Sequence, residues 1–303
     1  MTLDELVSFV AIAGGAGFTE ASRQLHRSQP AISRRIRQLE QALDVRLFER
    51  VGRGSRLTDA GRALLPHAEA ALASVRDGER AVREAGERAE APLRLELAIV
   101  GTLADRPLVE ALRKLRRRFP GAAIALRTAN SREVSAFVRR GEADLGLRYH
   151  RDPDPRLECL ALGAERLFLV VPPEHPVRTR RVASLRAFAS DSWLGFPVRA
   201  DSPEGSLERT LLAAGIERPS VTPVDSLTAQ KRLVEAGLGV ALLPRSAFRE
   251  ELGRGSLRAI EVANLGAVQP VFAVLRRRGL RSPLALALLE RLQKPDAFSH
   301  ASR

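Results

Sequence analysis

The spacing of apolar residues changes character along this chain, and each change marks a new element. Leu3, Leu6, Val7 and Val10 recur at helical spacing behind Thr2 and Glu5, a Thr-x-x-Glu capping box, and predict a helix over about 3–13. Gly14, Gly15 and Gly17 end it, and Thr19, Ala21 and Leu25 give a second, shorter helix that closes near His26. Ser28 suits an N-cap and Pro30 a first turn, opening a third helix whose Ile32, Ile36, Leu39 and Leu43 fall in one narrow stripe. Arg34, Arg37, Gln38 and Gln41 point away from that stripe, so one face packs and the other is free to touch something. Val45, Leu47 and Phe48, and then residues 55–58, flank the turn Val51-Gly52-Arg53-Gly54, which predicts a small β-hairpin.

From Asp59 to about Arg88 the chain is Ala-rich, and Ala63, Leu64, Ala68, Ala71, Leu72 and Val75 make a long apolar stripe. A small N-terminal unit has nothing to cover such a stripe, so a long helix pairing with another subunit is expected. Residues 86–92 are polar with helix breakers and read as a hinge. Beyond them Leu93, Leu95, Leu97 and Ile99 alternate as a strand does, followed by an amphipathic stretch over 106–119, a strand at 122–127, a helix from Ser131 and a strand at 145–149. This β-α-β-α-β order predicts a parallel sheet covered by helices. Further apolar strands are expected at 167–171, 193–196, 240–243 and 271–275, and fraying from about Lys294.

Composition narrows the function. The 303 residues suffice for two domains, and 45% hydrophobic with 28% charged residues describes a globular chain. Lys and Arg number 49 against 36 Asp and Glu, a net charge of +13 that favours polyanionic partners, although Arg spread through both halves also simply solvates a surface. Cys159 is the only cysteine, so no intrachain disulfide or cysteine metal cluster forms. Asp4 and Glu5 stand where a secretory signal carries cations, and no apolar run has the length of a membrane span, so a cytoplasmic protein without membrane contact is expected. The five histidines are scattered without metal-ligand spacing, and no Gly-x-Ser-x-Gly elbow occurs. Neither catalysis, a metal nor a cofactor is expected.

One run is far more specific than these generalities: Phe18-Thr19-Glu20-Ala21-Ser22, Leu25-His26-Arg27-Ser28-Gln29-Pro30-Ala31-Ile32-Ser33, Ile36, Leu39-Glu40, Leu43, Val45, Leu47-Phe48-Glu49-Arg50 and Leu57-Thr58-Asp59-Ala60-Gly61. In order and spacing it resembles the DNA-binding domain of LysR-type transcriptional regulators. Ser22 stands where that family usually has a second Ala, and Arg27 where it usually has an aliphatic residue. The remainder is similar to the family's effector domain at Asp144-Leu145-Gly146-Leu147, at Val170 through Pro176 and at Val234 through Pro244.

The resemblance implies an α/β protein with a winged helix-turn-helix over 1–58, a linker helix over 59–88, a hinge at 89–92 and an effector domain over 93–303. That domain is expected to look like a periplasmic binding protein, with one lobe from about 93–160 and 266–303 and the other from about 161–265. Ser28, Gln29, Pro30, Ser33, Arg34 and Arg37 would then face DNA from the third helix, where Gln pairs with adenine and Arg with guanine. Arg50, Arg53 and Arg56 would reach the backbone or minor groove from the wing. A small-molecule effector would lie between the lobes, near Thr102, Asn130, Ser131, Arg148 and Tyr149 on one side and Phe196, Pro197, Arg199 and Ser226 on the other. Asn130, Ser131 and Ser226 equally suit plain helix capping. Converging helix N-termini with Arg148 or Arg199 suggest a small anion such as a carboxylate. The partners implied are double-stranded DNA, that effector and a second copy of the chain, as a dimer or tetramer. A two-lobed binding or transport protein is the rival reading, disfavoured by the N-terminal motif.

Overall fold

The computed structural model describes residues 1–303 apart from 52–53, 86–92, 198–206, 264, 266–267, 294–297 and 300–303. The expected hinge, Arg53 and Arg199 therefore lie outside the described residues. The N-terminal unit runs α1 (Leu3–Ala11), a π-helical turn (Ile12–Ala16), α2 (Gly17–Gln24), α3 (Gln29–Leu43), β1 (Phe48–Val51), β2 (Gly54–Leu57) and α4 (Asp59–Ala85). The capping box forms: the Glu5 amide donates to Thr2 Oγ1, and the Thr2 amide donates to Glu5 Oε2. The glycines do not simply break the first helix. They widen it into the π turn, and α2 starts directly at Gly17, whose φ of +64° is open to glycine without strain.

Leu6 and Phe9 of α1, Ile32, Ile36 and Leu39 of α3, Leu47 before the hairpin and Leu72 of α4 share one core. Asp44, at φ +51°, turns the chain out of α3, and Arg35 of α3 is paired with Asp4 of α1 at 2.6 Å.

The rest of the chain runs β3 (Arg94–Ile99), α5 (Arg106–Arg118), β4 (Ala123–Thr128), α6 (Ser131–Arg139), β5 (Leu145–Tyr149), β6 (Leu157–Val171), β7 (Arg181–Val182), β8 (Ser192–Gly195), α7 (Leu207–Ala213) and β9 (Ser220–Pro223). There follow α8 (Leu227–Glu235), β10 (Ala241–Pro244), α9 (Arg249–Arg254), β11 (Arg258–Val262), β12 (Val268–Arg276), α10 (Pro283–Leu292) and β13 (Phe298–Ser299). β3 pairs in parallel with β4 and β5, as the alternation predicts, but β12 lies antiparallel to β5, so the sheet is mixed.

β6 is the main departure from the sequence reading. It has 15 residues rather than the short run at 167–171. Residues 157–166 pair with β12 in the first lobe, and residues 167–171 pair with β10 and β11 in the second. One strand therefore belongs to both lobes. The register between β6 and β12 shifts at Val271/Phe272, opposite Gly163, whose φ is +143°. β13 pairs with β6 beside that point, so residues 298–299 form a strand where fraying was expected.

Each lobe has its own interior. Leu95, Leu97, Leu147, Val271 and Leu288 lie in the core of the first, while Leu169, Phe188, Trp193, Leu211 and Ile260 lie in that of the second. Two short 3-10 turns, Gly101–Leu103 from the first lobe and Arg245–Phe248 from the second, meet where the lobes face each other.

Candidate nucleic-acid interface and interlobe cleft

Ser28 caps α3, its Oγ accepting the Ala31 amide, and this fixes how the helix enters. Gln29, Pro30, Arg34 and Arg37 are exposed on the face opposite the buried stripe, and Ser33 is half-buried beside them. Arg37 Nε donates to the Ser33 carbonyl at 3.4 Å, while Arg34 has no polar partner among the described residues and projects freely. In the hairpin Arg50 is exposed, but Arg56 is held by Glu49 across the two strands, with both bonds at 3.0 Å or less. The wing thus offers Arg50 as a cation without a partner among the described residues and Arg56 as one already paired with Glu49. Arg27, in the turn, is exposed to solvent.

The sequence reading passed over Glu40. Its carboxylate is nearly buried and accepts the Leu47 amide at 2.8 Å and the Phe48 amide at 3.3 Å, with Arg46 at 3.0 Å on the other oxygen. The end of the recognition helix is in this way tied to the start of the wing. Glu40 falls on the buried side of α3 beside Leu39, and a charge at a core position is the signal that could have revealed it.

Between the lobes the structure joins four residues in one chain. Thr102 Oγ1 lies 2.8 Å from the Tyr149 hydroxyl, which donates to Glu165 Oε2 at 2.5 Å, and Ser246 Oγ donates to Glu165 Oε1 at 2.6 Å. Since Tyr149 spends its single proton on Glu165, Thr102 is the donor of the first bond. Burial first, and then Glu165, hold the Tyr149 hydroxyl far above its usual pKa, so it stays a donor. Beside this chain stands Asp105, at the N-cap of α5. Neither of its carboxylate oxygens has a hydrogen-bond partner among the described residues, and burial, reinforced by the Glu165 charge, pushes its pKa up to about 7.

The cleft residues expected from sequence divide. Thr102 and Tyr149 are brought together, and Ser131 supports them, its Oγ accepting the Tyr149 amide at 3.3 Å. Asn130 and Ser226 cap their helices, accepting from the Glu133 and Ala229 amides. Phe196 and Pro197 are exposed at the end of β8. Arg148 is already engaged within the first lobe: it reaches Ser135 at 2.8 Å and Asp152, because β5 is covered on both faces and its side chains alternate between them. Ser246, Glu165 and Asp105 carry no local motif and were missed.

Comparison with known proteins decides what this architecture is. The pattern of the bacterial regulatory helix-turn-helix proteins of the lysR family matches residues 3–62, and that of the LysR substrate binding domain matches residues 88–295. The chain belongs to the LysR family of transcriptional regulators. Among its relatives is the HTH-type transcriptional regulator TfdS of Cupriavidus pinatubonensis, 32% identical over 89% of this chain and 91% of that one. Another is CbbR of Rhodospirillum rubrum, 27% identical over 95% and 94%. The crystal structure of CbnR, a LysR family transcriptional regulator, superposes with a TM-score of 0.54 at 25% identity, covering 96% of this chain and all of that one. Full-length CbnR has also been solved with its target DNA, at a TM-score of 0.55, 25% identity and coverage of 97% and 99%. This LysR-family chain is accordingly a DNA-binding regulator with an effector-binding domain, and not an enzyme. No described helix is long and apolar enough to cross a membrane.

Proposed function

We propose that this LysR-family regulator reads operator DNA in the cytoplasm with the exposed face of α3, and that a small molecule held between its lobes resets its grip. The observation that carries the second half is the polar chain Thr102–Tyr149–Glu165–Ser246, which runs from the first lobe through the shared strand to the second. A ligand that enters there competes for these bonds and alters how the lobes meet. On the DNA side, Gln29 and Arg34 sit at the N-terminal end of the recognition helix, where base edges are read, and Arg50 is placed for phosphate.

A carboxylate effector was the expectation from sequence, resting on helix N-termini and two arginines. The geometry favours a ligand that brings hydrogen-bond donors instead. Asn130 and Ser226 already satisfy their own helices, Arg148 is committed elsewhere, and the buried Asp105 beside Glu165 has two carboxylate oxygens without a hydrogen-bond partner among the described residues, which a donor could satisfy and a second anion could not. Self-association is proposed through α4, whose Ala63, Ala70, Ala71 and Val75 are exposed along one side. The division into 1–58, 59–88 and an effector domain from 93 remains our proposed description of the chain.

The test is a footprint of the full chain on the DNA flanking its own gene, repeated with size-matched amines, neutral amides and carboxylates. Two protected half-sites whose protection responds to the donors are expected. Absence of protection at low salt would refute the DNA-binding half, and a response to carboxylates alone would refute the ligand class.

A further inference from the structure

Between the cleft and the linker helix α4 lies the segment His150-Arg151-Asp152-Pro153-Asp154-Pro155-Arg156. We propose that this segment is a rigid polar strut that passes rearrangement of the cleft to α4, an inference that rests on the cleft being the effector site.

At the cleft end the strut is anchored on Tyr149, whose hydroxyl belongs to the interlobe chain and whose carbonyl accepts from Arg148 Nε at 3.1 Å. Arg148 is buried and reaches past it to Asp152 in the strut. His150 follows at φ +58°, a left-handed conformation uncommon for a residue with a β-carbon, and its amide donates to the Pro270 carbonyl at 2.8 Å.

Two successive aspartate turns then stiffen the segment. Asp152 Oδ1 accepts the Asp154 amide and Asp154 Oδ1 accepts the Arg156 amide, each at 2.9 Å. Pro153 and Pro155 fix the intervening φ angles and remove donors that would otherwise need partners. A segment so constrained shifts as a unit when either end is displaced.

At the far end the guanidinium of Arg156 forks between Asp154, at 2.7 Å, and α4, where it meets Glu69 and the Pro66 carbonyl at 3.1 Å each. Arg139 of α6 joins the same Glu69 oxygen at 3.2 Å. Glu69 is only 3% exposed, so the cations that make its charge tolerable both come from the effector domain. Displacing the strut withdraws Arg156 and leaves this buried carboxylate with Arg139 alone, so movement of the strut is felt at Glu69. A second grip lies further along the helix and off the strut: Asp77 is held by both Arg276 nitrogens, at 2.6 and 2.9 Å, and by the Leu280 amide at 3.1 Å. With that end fixed, displacement at Glu69 tilts the helix that leads into the DNA-binding unit.

The experiment is hydrogen exchange of the full chain, with neither effector nor DNA present, so its outcome is independent of the footprint. Glu165→Gln disturbs the cleft, Arg156→Lys loosens the strut while keeping the charge, and Asp77→Asn weakens the second grip. We expect Glu165→Gln and Arg156→Lys each to speed exchange in α4 around residues 63–76 about tenfold, with no further increase when combined. Glu165→Gln with Asp77→Asn should instead give the product of the separate effects. Should Arg156→Lys unfold the domain, Asp152→Ala, which removes both the acceptor of the Asp154 amide and the partner of Arg148, breaks the strut from its other end and takes its place. The proposal is overturned if Glu165→Gln leaves α4 exchange unchanged, or if its effect multiplies with that of the strut variant as it does with Asp77→Asn. Either result would leave the cleft as an effector site standing.

Discussion

Replacing Glu40 tests what holds the wing to the recognition helix. Glu40→Ala removes the acceptor for two amides, of which the Leu47 bond at 2.8 Å is short and buried and the Phe48 bond at 3.3 Å is weaker. Hydrogen bonds to a charged acceptor contribute roughly 1.5–3 kcal/mol each, so with one strong and one weak bond the loss is about 3 kcal/mol. The ion pair to Arg46 is a poor rival explanation. Its guanidinium is 79% exposed, and exposed pairs contribute roughly 0–1 kcal/mol. Glu40→Gln keeps an acceptor oxygen and loses only its charge, a cost of about 1 kcal/mol.

The ordering is therefore Glu40→Ala, then Glu40→Gln, then Arg46→Ala. Hydrogen exchange at the Leu47 amide of the full chain reads it out, because about 3 kcal/mol corresponds to roughly a hundredfold faster exchange at about 1.4 kcal/mol per decade. Arg46→Ala should change the rate less than about fivefold. If Arg46→Ala accelerates exchange as much as Glu40→Ala, the wing is held by the ion pair and the reasoning fails.

Further expectations concern other parts of the molecule. Gly61→Ala should destabilise the N-terminal unit by more than about 2 kcal/mol, since an added Cβ would meet the Leu47 carbonyl oxygen at 2.2 Å and overpacking of a tight site costs about that much; urea unfolding of the full chain checks it. Arg34→Ala should cost about 1–3 kcal/mol on operator DNA and little on random DNA, whereas Arg50→Ala should weaken both and lower the salt slope by about one; equal loss of affinity and discrimination in competition assays would refute the division of roles. Asp105 binds its proton more tightly in the folded than in the unfolded chain, so its contribution is complete below about pH 3.8 and is lost as pH rises through about 7. Asp105→Asn should flatten the fall in stability between about pH 3.8 and about pH 7, and an unchanged slope in urea titrations across that range would count against it. Ala70→Glu, on the exposed side of α4, should convert the self-associated chain to monomer in analytical ultracentrifugation while leaving helix content intact.

The elements that sequence predicted well are those built from local signals. The Thr2–Glu5 capping box and the Ser28, Asn130 and Ser226 caps all form, because each needs only residues within one turn. β6 was cut short for the opposite reason. Its burial changes sides part-way as it leaves one lobe for the other, and its partner β12 comes about a hundred residues later, so no local alternation marks its first half. The same distance hid Glu165 and Ser246, which meet only after the sheet has closed. The partner of Arg148 is hidden in the same way, because a cation near the end of an apolar strand looks free in sequence until Asp152, four residues on, folds back against it.

The shared strand also dictates an order of assembly during synthesis. The DNA-binding core is complete once Leu72 has emerged, and the second lobe, which ends with β11 at Val262, needs nothing beyond the residues just after it. The first lobe begins much earlier, at β3, yet its core waits for Val271 and for Leu284, Leu288 and Leu292 of α10. A chain emerging from the ribosome thus carries an unfinished lobe around a finished one, with the side of the β3–β5 sheet that α10 covers left incomplete until residue 292 has emerged. Truncation near residue 276 should leave the inserted lobe and the DNA-binding unit folded and the lobe that grips α4 open, so nascent chains of that length are where this regulator is most exposed to misassembly.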